Sequence, residues 1–398
     1  MLYALLALAA FGLITSSVFT GMALVALPAF FRERRQALAA LDRVPGYAPP
    51  LSLLKPLHGA DPGLETYLET FFHQDYPVYE ILFCARAADD AGLAIARKVA
   101  AKYPEIPVQF LATGGEPDYI NDKAISLEKM AAAATHDIFV ISDSDVRVTP
   151  DYLRSVALPF AEPKVGGVTC LYRGVAAEGG LWARLEAVGM SVEMCSGVLV
   201  ARSREGMQFT LGPTMAFRRG TIDRMGGFAV TADYCADDFV LGNEAFKLGE
   251  TVVLSHHAID HMVINASFRQ SMLHQVRWMK STRFSRPKGH FGTCLTFSMP
   301  FALLGLAAGI AAHHAAVGVG LFAWGLASRW LLAICVGNWA VGDHDWFNLL
   351  VLYPVRDLMG FFFWAASYSS SKIWWRGRKF QLLAGGKMRE AGTEGLRD

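Results

Sequence analysis

Charge is scarce in this chain. Asp, Glu, Lys and Arg make up only 18% of the 398 residues, hydrophobic residues make up 53%, and the mean hydropathy is +0.28. A composition this apolar excludes a protein that is soluble throughout. The net charge of +1, with no basic stripe interleaved with aromatics, gives no sign of a nucleic-acid partner. Six cysteines (Cys84, Cys170, Cys195, Cys235, Cys294 and Cys335) lack any C-x-x-C spacing, so neither a zinc site nor a disulfide framework is expected. Reduced, mostly buried thiols follow. No G-x-G-x-x-G follows the first strand pattern, which removes support for a dinucleotide cofactor. Internal repeats and low-complexity tracts are also missing, and the one linker candidate is Pro45-Gly46-Tyr47-Ala48-Pro49-Pro50.

What is present is long apolar sequence at both ends. Residues 2–29 are almost uninterrupted Leu, Ala, Phe, Val and Gly, enough to cross a hydrocarbon layer of about 30 Å. The basic cluster Arg32-Glu33-Arg34-Arg35 follows this run instead of preceding it, which marks a retained anchor and places the next domain on the cytoplasmic side. Apolar segments return at 291–312, 315–340 and 346–370, separated by His313-His314 and Gly342-Asp343-His344-Asp345. Two or three passes fit. The basic stretch from Lys372 to Lys379 demands an even number of passes after the domain, which three segments do not satisfy. Arg356 and Asp357 lie inside the last segment, where charge is costly unless paired, so that segment either re-enters, lies in the interface, or leaves the tail on the wrong side. The expected organisation is an anchor over 1–31, a catalytic domain over 50–290 ending in an interfacial helix, a membrane region over 291–370, and a basic tail over 371–398.

Between these ends the pattern alternates. Strands are expected at 51–57, 80–84, 108–111 and 137–141, with helices at 62–72, 91–102 and 123–134 between them. Such alternation implies βαβ units, a mostly parallel sheet and a Rossmann-like α/β half. Later, a strand is expected at 165–172, a helix at 179–196, and Gly212-Pro213-Thr214 as a loop running into a strand, able to meet a ligand with backbone groups.

The apolar β run Ile138-Phe139-Val140-Ile141 ends in Ser142-Asp143-Ser144-Asp145. Residues two apart on a strand share a side, so Asp143 and Asp145 leave the sheet together at its C-terminal edge, where open α/β sheets bind ligands. Carboxylate oxygens there suit Mg²⁺ or Mn²⁺ shared with phosphate oxygens, which makes a metal-bound nucleoside diphosphate the natural guest. Asp89-Asp90 follows the second strand, in the position of a ribose or base, though Asp90 also suits a helix N-cap. Lys123, opening the next helix after Asn121-Asp122, offers an ammonium to a diphosphate. Asp237-Asp238 starts a further helix and supplies two candidate catalytic carboxylates; Asp237 could cap the helix while Asp238 points inward as a general base. The segment 268–284 mixes cations with Phe, Leu, Trp and Met just before the membrane region, and its Arg277 and Trp278 suit phosphate and an apolar wall. His256, His257 and His261 fit no zinc spacing and read as satisfied polar positions.

Taken in order, these pieces resemble the ceramide glucosyltransferase family, membrane-anchored glycosyltransferases of the GT-A fold that include the bacterial hopanoid-biosynthesis branch. The resemblance runs from Lys55-Pro56-Leu57-His58-Gly59-Ala60-Asp61-Pro62, through Leu68-Glu69-Thr70-Phe71-Phe72 and Asp75-Tyr76-Pro77-Val78-Tyr79-Glu80, to Trp375-Arg376-Gly377-Arg378. It implies an acid after the second strand (Asp89 or Asp90), a D-x-D acid for metal and diphosphate (Asp143, completed by Asp145), a catalytic base (Asp238), and a Q/R-x-x-R-W motif. Arg277 and Trp278 match that last motif, while His274 departs from its first position. The resemblance further implies a UDP-sugar donor, a membrane lipid acceptor and inversion at the sugar. The complete D-S-D points to the bacterial branch and hence to an inner membrane. Two other readings stay open: a processive polysaccharide synthase, which needs more membrane helices to form a channel, and a non-catalytic membrane scaffold or transporter component.

Overall fold

The computed structural model describes residues 1–43, 46–177, 179–265, 267–375 and 378–391. The chain opens with one long helix, α1 (Leu2–Arg43), so the apolar run continues helically through its basic end with Pro28 inside. Then come β1 (Leu51–Pro56), α2 (Leu64–Glu69), β2 (Tyr79–Ala85), α3 (Ala91–Ala100), β3 (Val108–Ala112), α4 (Asp122–Ala133), β4 (Ile138–Ile141), β5 (Val146–Arg147) and α5 (Tyr152–Ala157). The second half holds β6 (Val165–Ala176), α6 (Leu181–Val188) running through a π segment into α7 (Cys195–Glu205), β7 (Met215–Arg218), α8 (Arg219–Met225), α9 (Asp237–Lys247), β8 (Thr251–Val263) and α10 (Phe268–Ser285). The C-terminal region contains α11 (Pro287–Thr293), α12 (Met299–Ala311), α13 (Ala315–Leu332), α14 (Tyr353–Ala366), β9 (Lys372–Trp375), β10 (Arg378–Leu382) and β11 (Met388–Glu390).

The expected α/β class is the one observed. Eight strands form one sheet in the order β3-β2-β1-β4-β7-β6-β8-β5. Its first half, β3 to β4, is parallel, with Leu51 opposite both Tyr79 and Ile138. Beyond β4 the sheet is mixed: β7 runs antiparallel to both β4 and β6, and β5 antiparallel to β8, while β6 and β8 pair in parallel. A strand's own apolar pattern reports that it is buried, not which way its neighbour runs. Ile138, Phe139, Val140 and Ile141 are all buried, as a central strand covered on both faces requires. Each such side chain contributes about 1.5–3 kcal/mol by leaving water. The site therefore sits at the end of a fully buried central strand.

Local signals explain several element ends. Asn121 caps α4 by accepting the Lys123 N–H, and Ser267 with Gln270 forms a capping box on α10. The helix expected over 62–72 starts only at Leu64, because Gly63 at φ +80° turns the chain into it. The tail, expected as a plain basic stretch, pairs β9, β10 and β11 into a small antiparallel sheet that docks on the loop before α9: Met388 donates to the Asp233 carbonyl at 2.6 Å. Within it, Arg376 and Gly377 lie outside the described residues, as does Pro45 of the expected linker.

Among the described residues, three helical stretches are long and apolar enough to cross a membrane, Leu2–Leu41, Ala315–Ala340 and Asn348–Ala366, and α12 is a shorter apolar helix. This agrees with an N-terminal helix and two to three C-terminal ones. The charges inside the last segment are paired: Arg356 with Glu193 and Asp357 with Arg329. All six cysteines are free thiols, four of them buried.

Candidate functional site

The polar cluster begins beneath β4. Lys55, at the end of β1, is fully buried, lies 3.8 Å from the centre of the Phe71 ring, and donates to the Asp143 carbonyl at 2.5 Å and to Ser142 Oγ at 3.3 Å. Burial pulls its ammonium down to about 7, against the opposing pull of Asp143 and Asp145. Sequence reasoning passed over Lys55 as a site residue, because a lysine inside a strand gives no sign of what it lies beneath.

Lys123 is the hub of the cluster. Its Nζ lies 2.8 Å from Asp143 Oδ1 and 3.1 Å from Asp237 Oδ2. It is buried, not solvated as a first-turn lysine ordinarily is. Burial alone would lower its pKa, but the two carboxylates outweigh burial and hold it charged well above the lysine range. Asp237 is therefore no helix cap: Ala236 occupies that position and α9 has no side-chain cap. The ammonium from α4 is a stronger partner for Asp237 than a backbone N–H, since a charge pair at this burial exceeds a single cap bond. Asn121 ties α4 to the loop before α9, accepting from the Lys123 N–H and donating to the Tyr234 carbonyl at 3.1 Å.

Asp238 points inward, as expected. Its Oδ2 accepts the Gly212 N–H at 2.9 Å and its Oδ1 the Phe239 N–H at 2.8 Å. Burial, and then repulsion from Asp237, push its carboxyl up to about 6. A Cβ placed on Gly212 would lie 3.4 Å from Asp238 Oδ2 and 3.5 Å from Asp143 Oδ2. Carboxylates from β4 and α9 thus face one small space, kept open because residue 212 has no side chain. The expected backbone contact from the Gly212 loop goes to Asp238.

Asp145, two residues on from Asp143, has a different partner. Its Oδ2 lies 3.1 Å from Nε2 of His261 on β8, whose ring is edge-on to Tyr172. Burial would raise Asp145, but His261 outweighs it and holds the carboxylate below its ordinary value; the imidazole is raised in return. Burial raises Asp143, and Asp145 and Asp237 add to that rise against Lys123. Asp145 Oδ1 and His261 Nδ1 are both buried without a hydrogen-bond partner. Orphaned oxygen next to a half-exposed Asp143 is a fair fit to a hard divalent cation. Among the described residues no three His, Cys, Asp or Glu close on a metal by themselves. Mg²⁺ and Mn²⁺ take one or two carboxylates and complete their shell with substrate phosphate and water. His261 is thus a polar position with a partner, but that partner is a site carboxylate; only the β5–β8 pairing brings the two together.

The remaining residues sort by contact. Asp90 is engaged as a cap, accepting from Gly92 N at 2.7 Å and from Gly59 N at 3.0 Å, while Asp89 is exposed. On α10, Arg277 reaches Cys235 Sγ at 3.6 Å, which brings it beside the start of α9, and Trp278 packs against the core. His274 lies 4.3 Å from the Trp278 ring and its Nδ1 is 2.6 Å from Glu186 Oε1. Glu186, buried on α6, also accepts from Asn265 and from Ser271 at 2.7 Å. Burial would raise its carboxyl, but His274 and the other donors prevail and lower it. Sequence reasoning missed Glu186, whose only signal is an acid among apolar neighbours.

Comparison with known proteins adds an independent line. A family model described as glycosyl transferase family 21 matches residues 13–388. Ceramide glucosyltransferase 1 of Caenorhabditis elegans is 25% identical over 353 residues, 86% of this chain and 73% of the relative. A ceramide glucosyltransferase of Komagataella phaffii is 34% identical over 133 residues, 31% of this chain and 25% of the relative. Among solved structures, a Pyrobaculum calidifontis mannosyltransferase in complex with GDP-Man and Mn²⁺ is 19% identical with a TM-score of 0.46, covering 86% of this chain and 99% of that one.

Proposed function

The chain belongs to glycosyl transferase family 21, and from that premise we propose that it transfers a hexose, glucose or N-acetylglucosamine, from a UDP-sugar to the hydroxyl of a membrane lipid, a ceramide or a hopanoid. Its α/β domain is of the GT-A kind, and the activity is that of a hexosyltransferase making a glycolipid. One observation carries the reading: Asp143 and Asp238 face the same space in front of Gly212. A donor diphosphate held at Asp143 then presents its sugar within reach of Asp238.

In this mechanism the lipid hydroxyl oxygen forms a bond to the anomeric carbon while the bond from that carbon to the β-phosphate oxygen breaks. One displacement inverts the centre. Asp238 takes the hydroxyl proton; at about 6, its carboxylate is mostly ionised at neutral pH yet more basic than an ordinary aspartate. The Gly212 and Phe239 N–H groups hold both of its oxygens in place. Lys123 sets Asp143 and Asp237 at a fixed separation, and Lys55 props the Asp143 backbone from below. Arg277, beside the start of α9, is placed to meet diphosphate oxygens, and Trp278 to wall the sugar. Asp143 and Asp145 would hold Mg²⁺ or Mn²⁺, which when bound neutralises charge on the departing UDP. Asp89 or Asp90 stays the candidate for the nucleoside end, Asp89 being the one whose carboxylate is exposed.

The test is product identification. Purified protein incubated with a panel of UDP-sugars and lipid extracts should yield a lipid carrying one hexose by mass spectrometry, with release of UDP. A polymer, or no UDP release with any donor, overturns the proposal.

A further inference from the structure

Length and composition pick out Asn348–Ala366 as a crossing helix and leave α12, at 13 residues, as too short. The contacts at the ends of these helices sort them differently. Nineteen helical residues at about 1.5 Å each separate the two ends by about 28 Å, close to the hydrocarbon thickness, so a crossing would carry one end away from the catalytic domain. Neither end is carried away. At the start, Arg184 of α6 donates to Asn348 Oδ1 at 2.8 Å and pairs with Asp345 at 2.9 Å, and Arg173 of β6 donates to the Gly342 carbonyl at 2.6 Å. At the finish, Arg283 of α10 donates to the Ser367 carbonyl at 2.7 Å and Lys280 to Ser370 Oγ at 2.9 Å. Between them Arg356 pairs with Glu193 and donates to Gln275 of α10 at 2.8 Å. The helix lies along the domain.

The return trip across the membrane belongs to α12 and α13. Their connecting turn, with His313 at φ 59°, meets the start of α1, where Tyr3 Oη is 3.2 Å from His314 Nε2. The other end of α1 is at the domain: Glu33 pairs with Arg202 of α7, and Arg34 donates to the Ala340 carbonyl. Tyr3 and Glu33 are about 45 Å apart along a helix at 1.5 Å per residue, so a hairpin that touches both levels traverses the layer and comes back. The shortness of α12 has a local cause. Asp357 accepts the Ser298 and Met299 N–H groups at 2.8 and 2.7 Å and pairs with Arg329, so the helix starts against a buried carboxylate of α14, part-way into the layer.

We infer that the chain crosses the membrane three times, through α1, α12 and α13, and that residues 343–370 lie in the plane of the leaflet on the side of the catalytic domain. Phe347, Val351, Val355 and Phe362 form an exposed stripe at helical spacing on this element, while Tyr353, Arg356, Asp357 and Phe363 are buried on its other face. The occupant of that stripe is lipid acyl chain, since the element is covalently continuous with the crossing helices on one side and bonded to α10 on the other. Two passes after the domain also return the basic tail to the domain's side, which satisfies the positive-inside rule. The helix carrying Arg277 and Trp278 then rests on the lipid surface, level with an acceptor hydroxyl. The inference rests on the membrane reading of the chain and not on its chemistry.

The experiment uses the full chain with its six cysteines replaced, in sealed vesicles with the catalytic domain inside. Single cysteines at His313→Cys, Trp346→Cys and Ser369→Cys are exposed to a membrane-impermeant maleimide. His313→Cys should react before permeabilisation, and the other two only after it. Opposite sidedness of positions 346 and 369, or protection of 313, overturns the inference. If the cysteine-free chain does not fold, alkaline phosphatase fused after His313 should be active and after Ser369 inactive; the reverse overturns it equally. Nitroxides at Phe347, Val355 and Phe362 should report one shallow depth, and a deep middle position would mean a crossing. No arm reads activity, so failure of the glycosyl-transfer proposal leaves this result interpretable.

Discussion

Replacing Asp238 with Asn removes the proposed base and little else. Asparagine keeps one acceptor oxygen, so one of the two N–H groups now satisfied, Gly212 or Phe239, loses its partner, at a cost of about 1–3 kcal/mol. Against this, the substitution deletes a charge that burial and Asp237 both oppose. The Asp238 carboxyl is raised from 3.8 to about 6 in the fold, so its ionisation weakens the native state as pH rises through that window, by roughly 1.4 kcal/mol per unit. The two effects have opposite sign and similar size, and the melting temperature should move by only a few degrees. Turnover should fall by about 10²–10⁴, the usual contribution of a positioned base, or roughly 3–5 kcal/mol of barrier. In the parent protein kcat should rise as pH increases through about 6 and then level off, because the base must be deprotonated; in Asp238→Asn the residual rate should be flat across the same range. The assay is glycolipid formation at saturating donor and acceptor, with UDP-sugar affinity measured separately by calorimetry. Turnover within a few-fold of the parent, or donor affinity lost by the same factor as turnover, refutes the assignment.

Gly212→Ala should leave stability nearly unchanged, because the new methyl meets Asp238 and Asp143 at ordinary contact distances, yet lower transfer at least about tenfold by filling the space between them; unaltered turnover would show that substrate does not enter there. Chelation should abolish transfer and Mn²⁺ or Mg²⁺ restore it. At 100 times its Kd, Mn²⁺ should also stabilise the fold by about 2.7 kcal/mol, a shift that Asp145→Ala removes; an unchanged melting shift in that variant would exclude Asp145 as a ligand. His274→Gln keeps a donor facing Glu186 and should retain the parent's melting temperature, whereas His274→Ala strips one donor from a buried carboxylate and should cost about 1–3 kcal/mol; equal losses in the two variants would show that the Glu186 hydrogen bond is not what His274 provides.

What could be read along the chain were the features that local chemistry dictates. An apolar β run ending in Asp143-Ser144-Asp145 must release two acids at a sheet edge, and α4 and α10 carry their start signals in Asn121 and Ser267. Long apolar runs must be hidden from water, so a membrane region was legible as well. The division of labour within Asp237-Asp238 was not. Capping by Asp237 looks natural on spacing, and it fails because Lys123 arrives from a helix 114 residues earlier and offers a charge instead of an N–H. His261 looked idle until β5 and β8 paired and set it against Asp145. Lys55 and Glu186 were passed over in the sequence and are polar anchors in the fold. The strand directions beyond β4 and the path of residues 343–370 were decided in the same way. Side-chain type and spacing determine what a segment wants to bury or cap, but which partner meets it depends on contacts between residues far apart in the chain, and those exist only once the sheet and helices have packed.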